Sequence, residues 1–219
     1  MVDFVLPETL APEARVKVNL KSLWAGTKTL FRDPVFMGLT LIGGFGFSSF
    51  MVFIASASFV YSEQFGLTPT GFSLAFAINA IGFFAASQAA GPAMDKFGIV
   101  PVMRGAVIGF ASAAFVLFLI CLAGFGTLPV VVAGLFVANA CLGLIIPTTM
   151  VMALDPHGSI AGLASSLGGT LQMLVGGLMV AITGLFFNGT ATPMVGAIAL
   201  CSALALALAL FTFRKMARP

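Results

Sequence analysis

Residues 192–213 read TPMVGAIALCSALALALALFTF, and Arg214 and Lys215 follow at once. A helix crossing a hydrocarbon core of ~30 Å needs about 20 predominantly apolar residues, and this run is long enough. Its centre, residues 203–210, alternates Ala with Leu and has no polar residue at either parity. A membrane β-strand would need apolar and polar residues to alternate over ~10 positions. The stretch therefore reads as a transmembrane helix, and the two bases mark its end at a membrane surface.

The same pattern recurs upstream, with apolar runs near 35–61, 71–94, 102–123, 128–154 and 161–187. The links between them are short and carry helix stops: Gly66 with Pro69, Gly98 with Pro101, Gly126 with Pro129, Pro156 with Gly158, and Gly189 with Pro193. Hydrophobic residues make up 60% of the chain and charged residues 8%, whereas soluble domains carry about a quarter charged. The expected fold is an all-α membrane protein with six transmembrane helices. Residues 1–34 form a leader, 35–213 the helical bundle and 214–219 a tail. Residues 14–30 carry Val16, Val18, Leu20, Leu23, Trp24 and Leu30 among basic and polar neighbours. They predict either a short amphipathic helix on the membrane surface or a plain solvated segment. The first 34 residues show no apolar core ahead of a cleavage site, so no secretory signal is expected.

All ten Lys and Arg residues fall on one side of this serpentine. Arg15, Lys17, Lys21, Lys28 and Arg32 precede the first span. Lys96 and Arg104 bracket the second link, and Arg214, Lys215 and Arg218 follow the last span. The positive-inside bias then places both termini in the cytoplasm of a multi-pass protein of the cell's inner, or plasma, membrane. It also explains the formal charge of +3 without a nucleic-acid partner. The partners expected are membrane lipid, a small-molecule substrate, and a second six-helix unit.

Chemistry-bearing motifs are absent. There is no phosphate-binding Walker loop, nucleophile elbow or zinc-ligand spacing, so neither an enzyme nor a metal site is expected. No cofactor is expected. Cys121, Cys141 and Cys201 lie within apolar runs without ligand spacing and read as small buried hydrophobes. Asn188-Gly189-Thr190 matches a glycosylation sequon, read here as a chance match in a short link beside the membrane.

Polar residues are unevenly spread. The first span holds Ser48, Ser49, Ser56 and Ser58; the second Asn79, Ser87 and Gln88. The fourth holds Asn139, Thr148 and Thr149; the fifth Ser165, Ser166, Thr170 and Gln172. Past Arg104, the third and sixth hold little beyond Ser112 and Ser202. Polar groups facing lipid are costly unless paired. Spans 1, 2, 4 and 5 are therefore expected to line an interior, and spans 3 and 6 to face lipid, in a 3+3 repeat. Gly43, Gly44 and Gly46 in the first span, the Gly105–Gly109 pair, and the seven-residue recurrence of Gly162, Gly169 and Gly176 predict close helix contacts.

Gly91-Pro92-Ala93-Met94-Asp95-Lys96-Phe97-Gly98 closes the second span. This G-x-x-x-D-[RK]-x-G pattern resembles the cytoplasmic-loop motif of the major facilitator superfamily. Ile99 and Val100 stand where that motif usually carries bases, and the next base is Arg104. An acid at a helix end can dock on the positive N-terminus of a neighbouring helix or on a basic side chain. Gly91, Asp95, Lys96, Gly98 and Arg104 are thus candidates for a cytoplasmic latch. Further runs extend the likeness: residues 59–69 (FVYSEQFGLTP), Phe72-Ser73, residues 76–80 (FAINA), residues 154–158 (LDPHG) and residues 164–172 (ASSLGGTLQ). Together with the leader stretch 6–13 (LPETLAPE), they resemble the central loop and second half of Bcr/CflA drug-efflux transporters. Ser58 departs from that pattern, which has Pro there. The resemblance implies a half-bundle of a twelve-helix, proton-coupled exporter of amphiphilic molecules. Such a half would work as a homodimer or with a complementary half. Otherwise it is a non-transporting remnant or structural subunit. Proton coupling comes from the resemblance alone, since Asp33, Asp95, Asp155 and Glu63 all lie at span ends.

Candidate cavity residues are Phe47, Phe50, Asn79, Phe83, Asn139, Gln172 and Met173. The amides either bind substrate or bond between helices. The aromatic and Met side chains either form an adaptable apolar wall or simply pack. His157, the sole His, sits in a cytoplasmic turn or serves as a proton relay. Asp155, ahead of Pro156, reads as a cap for the fifth span. Glu63 reads as a loop acid or an external gating group.

Overall fold

The structure, a computed structural model, describes residues 20–216. Among them are seven α-helices and one 3-10 turn: α1 (Leu20–Arg32), α2 (Pro34–Glu63), α3 (Pro69–Phe97), α4 (Ile99–Leu122), α5 (Leu128–Leu154), the turn Asp155–Ile160, α6 (Ala161–Leu185) and α7 (Ala191–Met216). Helices α2 to α7 correspond to the six apolar runs and extend most of them by a residue or more. Several starts follow directly from sequence. Pro34 opens α2 behind Asp33, whose Oδ1 accepts from the amides of Val35 at 2.8 Å and Phe36 at 3.2 Å. Thr68 caps α3 through the Gly71 amide at 3.2 Å, with Pro69 next.

One residue separates α3 from α4. Gly98 has φ 86° and ψ 152°, a conformation essentially confined to glycine. This is why the latch motif needs its second Gly: it turns the chain within a single position.

By length and apolarity alone, α5 and α6 form one uninterrupted run, Leu128–Leu185, and the candidate crossings number five. Packing resolves the run into two helices. A Cβ placed on Gly43 of α2 would meet Thr149 of α5 at 2.9 Å and Gln172 of α6 at 3.0 Å. Both helices therefore lie against the same point on α2, and the chain reverses in the 3-10 turn. His157, at φ −114° and ψ 29°, breaks the helical geometry there. The result is six long apolar helices running up and down, with no strand among the described residues.

Helices α2 and α5 meet at the centre. Helix α3 lies along α5, and α6 lies along α2. Helix α4 packs on α5, α7 packs on α2, and α4 and α7 pack on each other. Exchanging α2-α3-α4 for α5-α6-α7 leaves this set of neighbours unchanged.

Burial within the bundle does not follow the distribution of polar residues among the spans. Helices α4 and α7 each bury a full stripe, from Met103 to Cys121 and from Ala191 to Thr212. The helices with the barest outer faces are α3 and α6. Many of the hydroxyl groups satisfy themselves. Ser48 donates to the Gly44 carbonyl at 2.7 Å, Thr148 to Leu144 at 2.6 Å, Thr149 to Ile145 at 2.9 Å, and Thr183 to Met179 at 2.7 Å. A Ser or Thr bonded to its own helix asks nothing of its surroundings, so it can sit in an apolar interface.

Helix α1 covers the basic end of the bundle. Its Gly26 and Leu30 are buried, with Gly26 against Leu163 of α6, while Leu20, Trp24 and Phe31 remain exposed. Of the two readings of this segment, the amphipathic helix is the one observed over Leu20–Arg32. Residues 14–19, the rest of the leader and the last three tail residues lie outside the described residues.

Candidate functional site: a cleft among α2, α5 and α6

The most polar recess in the bundle is a cleft of about 190 Å³ bounded by α2, α5 and α6. Thr40, Thr149, Ser165 and Gln172 give it polar groups, and Phe36 and Leu39 give it apolar wall. Gly168 and Gly169 thin the α6 side. The candidate cavity residues are only partly gathered here. Gln172 lines the cleft, whereas Met173, the next residue, is 64% exposed on the outer face of α6.

Asn79 and Asn139 are buried between α3 and α5. The Asn139 side-chain amide donates to the Asn79 side-chain carbonyl at 3.2 Å, and Asn79 donates to the Ala75 carbonyl at 3.0 Å. Of the two readings for these amides, the interhelical bond is the one observed. Phe50 stacks on Phe83 at 4.9 Å, and Phe53 stacks on Phe76 at 5.5 Å, riveting α2 to α3. Phe47 fills the space over Gly176, 3.4 Å from where a Cβ would stand. Phe53 is buried outright, and Phe47, Phe50, Phe76 and Phe83 are half-buried.

The glycine recurrence on α6 divides. Gly176 and Gly168 face α2, while Gly162, Gly169, Gly177 and Gly184 have open space where a Cβ would be. Adjacent helical positions differ by about 100°, so Gly176 and Gly177 look in different directions. Ser166, Thr170 and Met173 are exposed alongside them. On α3 the exposed positions include Ile81, Phe84 and Gln88. The outer surfaces of α3 and α6 thus combine small residues, large apolar ones and uncharged polar ones.

The basic end holds a contact that the sequence did not announce. His157 Nε2 lies 3.0 Å from Asp33 Oδ2, and the His157 ring meets Phe36 edge-on at 5.4 Å. One carboxylate therefore caps α2 and holds the turn between α5 and α6. The signal in the sequence was Asp33-Pro34 at the head of an apolar run; the His partner lies too far along the chain for a local reading. Asp155 has a different role from the one expected. It is exposed, adopts helical φ −53° and ψ −47° as α5 runs into the turn, and caps nothing. An N-cap needs extended backbone; the residue at that position of α6 is Ile160, without a side-chain bond.

These contacts predict that Asp33→Ala lowers bundle stability by about 1–2 kcal/mol, mostly through the lost cap. Asp33→Asn, which can still cap, should cost less. Thermal unfolding in detergent compares the two.

The latch residues surround the α3–α4 turn. Asp95 and Lys96 are exposed, and Lys96 lies over the Phe97 ring at 5.2 Å. Among the described residues the only contact of salt-bridge geometry is that of His157 with Asp33, so Asp95 has no basic side chain in contact within the described bundle. At the opposite end, Gln64 Oε1 accepts from the Ala191 amide at the start of α7, and Glu63 lies against Gly189. The Tyr61 hydroxyl nearby is buried without a hydrogen-bond partner.

No family model matches the chain. Among curated proteins, it is 30% identical to the uncharacterized MFS-type transporter YdgK of Bacillus subtilis, over 98% of this chain and 53% of that protein. It is 26% identical to a bicyclomycin resistance protein homolog of Haemophilus influenzae, over 92% of this chain and 50% of that one. The chain spans about half the length of these relatives, and neither is named as an enzyme. With its long apolar helices, this likeness makes the chain a multi-pass membrane protein similar to half of an MFS-type transporter.

Proposed function

We propose that this chain is a six-helix half of a Bcr/CflA-type exporter of the major facilitator superfamily. It lies in the inner membrane with both termini in the cytoplasm and moves amphiphilic small molecules by alternating access, in a 3+3 arrangement. The neighbour set that survives exchange of α2-α3-α4 with α5-α6-α7 supports the repeat. The cleft holding Gln172 and Thr149 would form one wall of the substrate path, with a second bundle supplying the other.

The observation that carries this reading is the bare face of α3 and α6. Gln88 stands exposed on a helix long enough to cross a bilayer. Uncharged polar groups at depth belong against protein or a wet cavity. Glycines with nothing over them invite the close approach of another helix. A second copy fits, because a two-fold axis along the membrane normal would bring the same face together with itself; a complementary half fits the same surface. Asp95, unpaired within the bundle, would then reach the partner, near the start of its α6.

The test is accumulation of an amphiphilic cationic dye in bacteria stripped of their own efflux pumps. Cells expressing this chain should hold several-fold less dye, and Asp95→Asn should raise the level again. A well-inserted, paired protein that leaves accumulation unchanged would establish the other reading, a structural subunit or remnant without transport.

A further inference from the structure

Arg104 is the one base set within the body of an apolar helix. It lies five residues past Ile99, the first residue of α4, roughly 8 Å along the axis at 1.5 Å per residue. Its guanidinium carbon stands 5.9 Å from the centre of the Phe213 ring on α7, within the range of a cation–π contact. Arg214 and Lys215 follow that ring directly, in the last turn of α7. Among the described residues, no carboxylate pairs with Arg104. A guanidinium has five N–H donors and no acceptor, and a ring face satisfies none of them as a hydrogen bond.

Below Arg104 a shallow groove runs between α4 and α7, walled by Val107, Ile108, Leu206 and Leu210. Ile108 is 53% exposed and Leu210 52%. The groove therefore opens outward and is wholly apolar below its basic mouth. Its floor, Val107 and Ala209, belongs to the buried stripes of α4 and α7, its rim is the exposed Ile108 and Leu210, and it shares no residue with the cleft.

We infer that Arg104, at the end of the bundle that also carries Arg214, holds the phosphate of an anionic phospholipid whose acyl chain lies along the α4–α7 groove. Charge complementarity selects this occupant. A guanidinium matches a phosphodiester bidentately, and basic pockets between transmembrane helices take acidic headgroups. A zwitterionic lipid brings its own cation next to Arg104 and Arg214 and is disfavoured. A soluble phosphate leaves the apolar groove without a ligand. The site is independent of whether the protein transports.

Native mass spectrometry of the detergent-purified full chain, titrated with palmitoyl-oleoyl phosphatidylglycerol or phosphatidylcholine, tests this. Arg104→Gln should weaken phosphatidylglycerol binding roughly fivefold and leave phosphatidylcholine unchanged. Lys28→Gln, at the same end of the bundle, should change neither. Leu210→Trp, which fills the groove at an exposed position, should also weaken phosphatidylglycerol, with every charge still in place. Equal binding in Arg104→Gln and the parent overturns the site. So does an equal loss in Lys28→Gln, which would show diffuse attraction only. Displacement of the lipid by millimolar glycerol 3-phosphate also overturns it, because the headgroup would then be sufficient.

Discussion

Leucine placed together at Gly169 and Gly177 should leave the bundle folded and abolish its pairing with a second bundle. Both positions have open space where a Cβ would stand, so each leucine branches off without a clash at its Cβ. On the isolated bundle the change in stability should stay within ~0.5 kcal/mol, or improve slightly through helix propensity, since glycine costs about 1 kcal/mol in a helix interior. A close helix–helix contact has no room for two leucines, and overpacking costs roughly 1–3 kcal/mol per site. Single-molecule photobleaching in lipid vesicles should report a shift from pairs to monomers, and dye export should fall with it. Pairs that persist unchanged would mean that the bare face of α6 is a lipid-facing surface, and the proposed architecture would fail.

Alanine at Gly143 should have the opposite effect. Its methyl group would run into the Phe83 carbonyl oxygen and stand 3.0 Å from the Ser87 amide, where α3 crosses α5. Those neighbours are backbone and cannot swing aside as a side-chain tip can. The crossing must open along its length, which also draws Asn139 away from Asn79. A loss of about 3 kcal/mol is expected, at the upper end for overpacking, with part of an interhelical hydrogen bond added. The readout is thermal unfolding in detergent micelles, with Gly177→Ala as the silent control. The two experiments use the same residue type on neighbouring helices, and only the structure distinguishes the glycine that admits a neighbour already present from the one that awaits it.

That contrast shows what the sequence could and could not convey. The all-helical, strongly apolar character was legible, because apolar length and Gly/Pro stops are local properties, as in the run 192–213 and its bases. The contribution of each side chain depended on direction. Ser48 and Thr149 are plain in the sequence as polar residues, and only the structure shows that their hydroxyls bond back onto their own helices. Asn79 and Asn139 were legible as buried amides, and only the structure shows that they bond to each other. Gly162, Gly169 and Gly176 looked like one stripe and proved to be two. Asp33 was visible as a charge at a span end, yet its link to His157 joins segments that no local pattern connects.

Asp33 also sets a mechanical limit. It fastens the start of α2 to the turn between α5 and α6, inside the second set of three helices, and Gln64 fastens the end of α2 to the start of α7. The central helix is clamped at both membrane surfaces to the other triplet. Neither triplet can slide or tilt relative to the other without breaking a clamp. Any stroke this protein contributes is therefore a rocking of the whole block, and the give must lie in whatever surface the block rocks against.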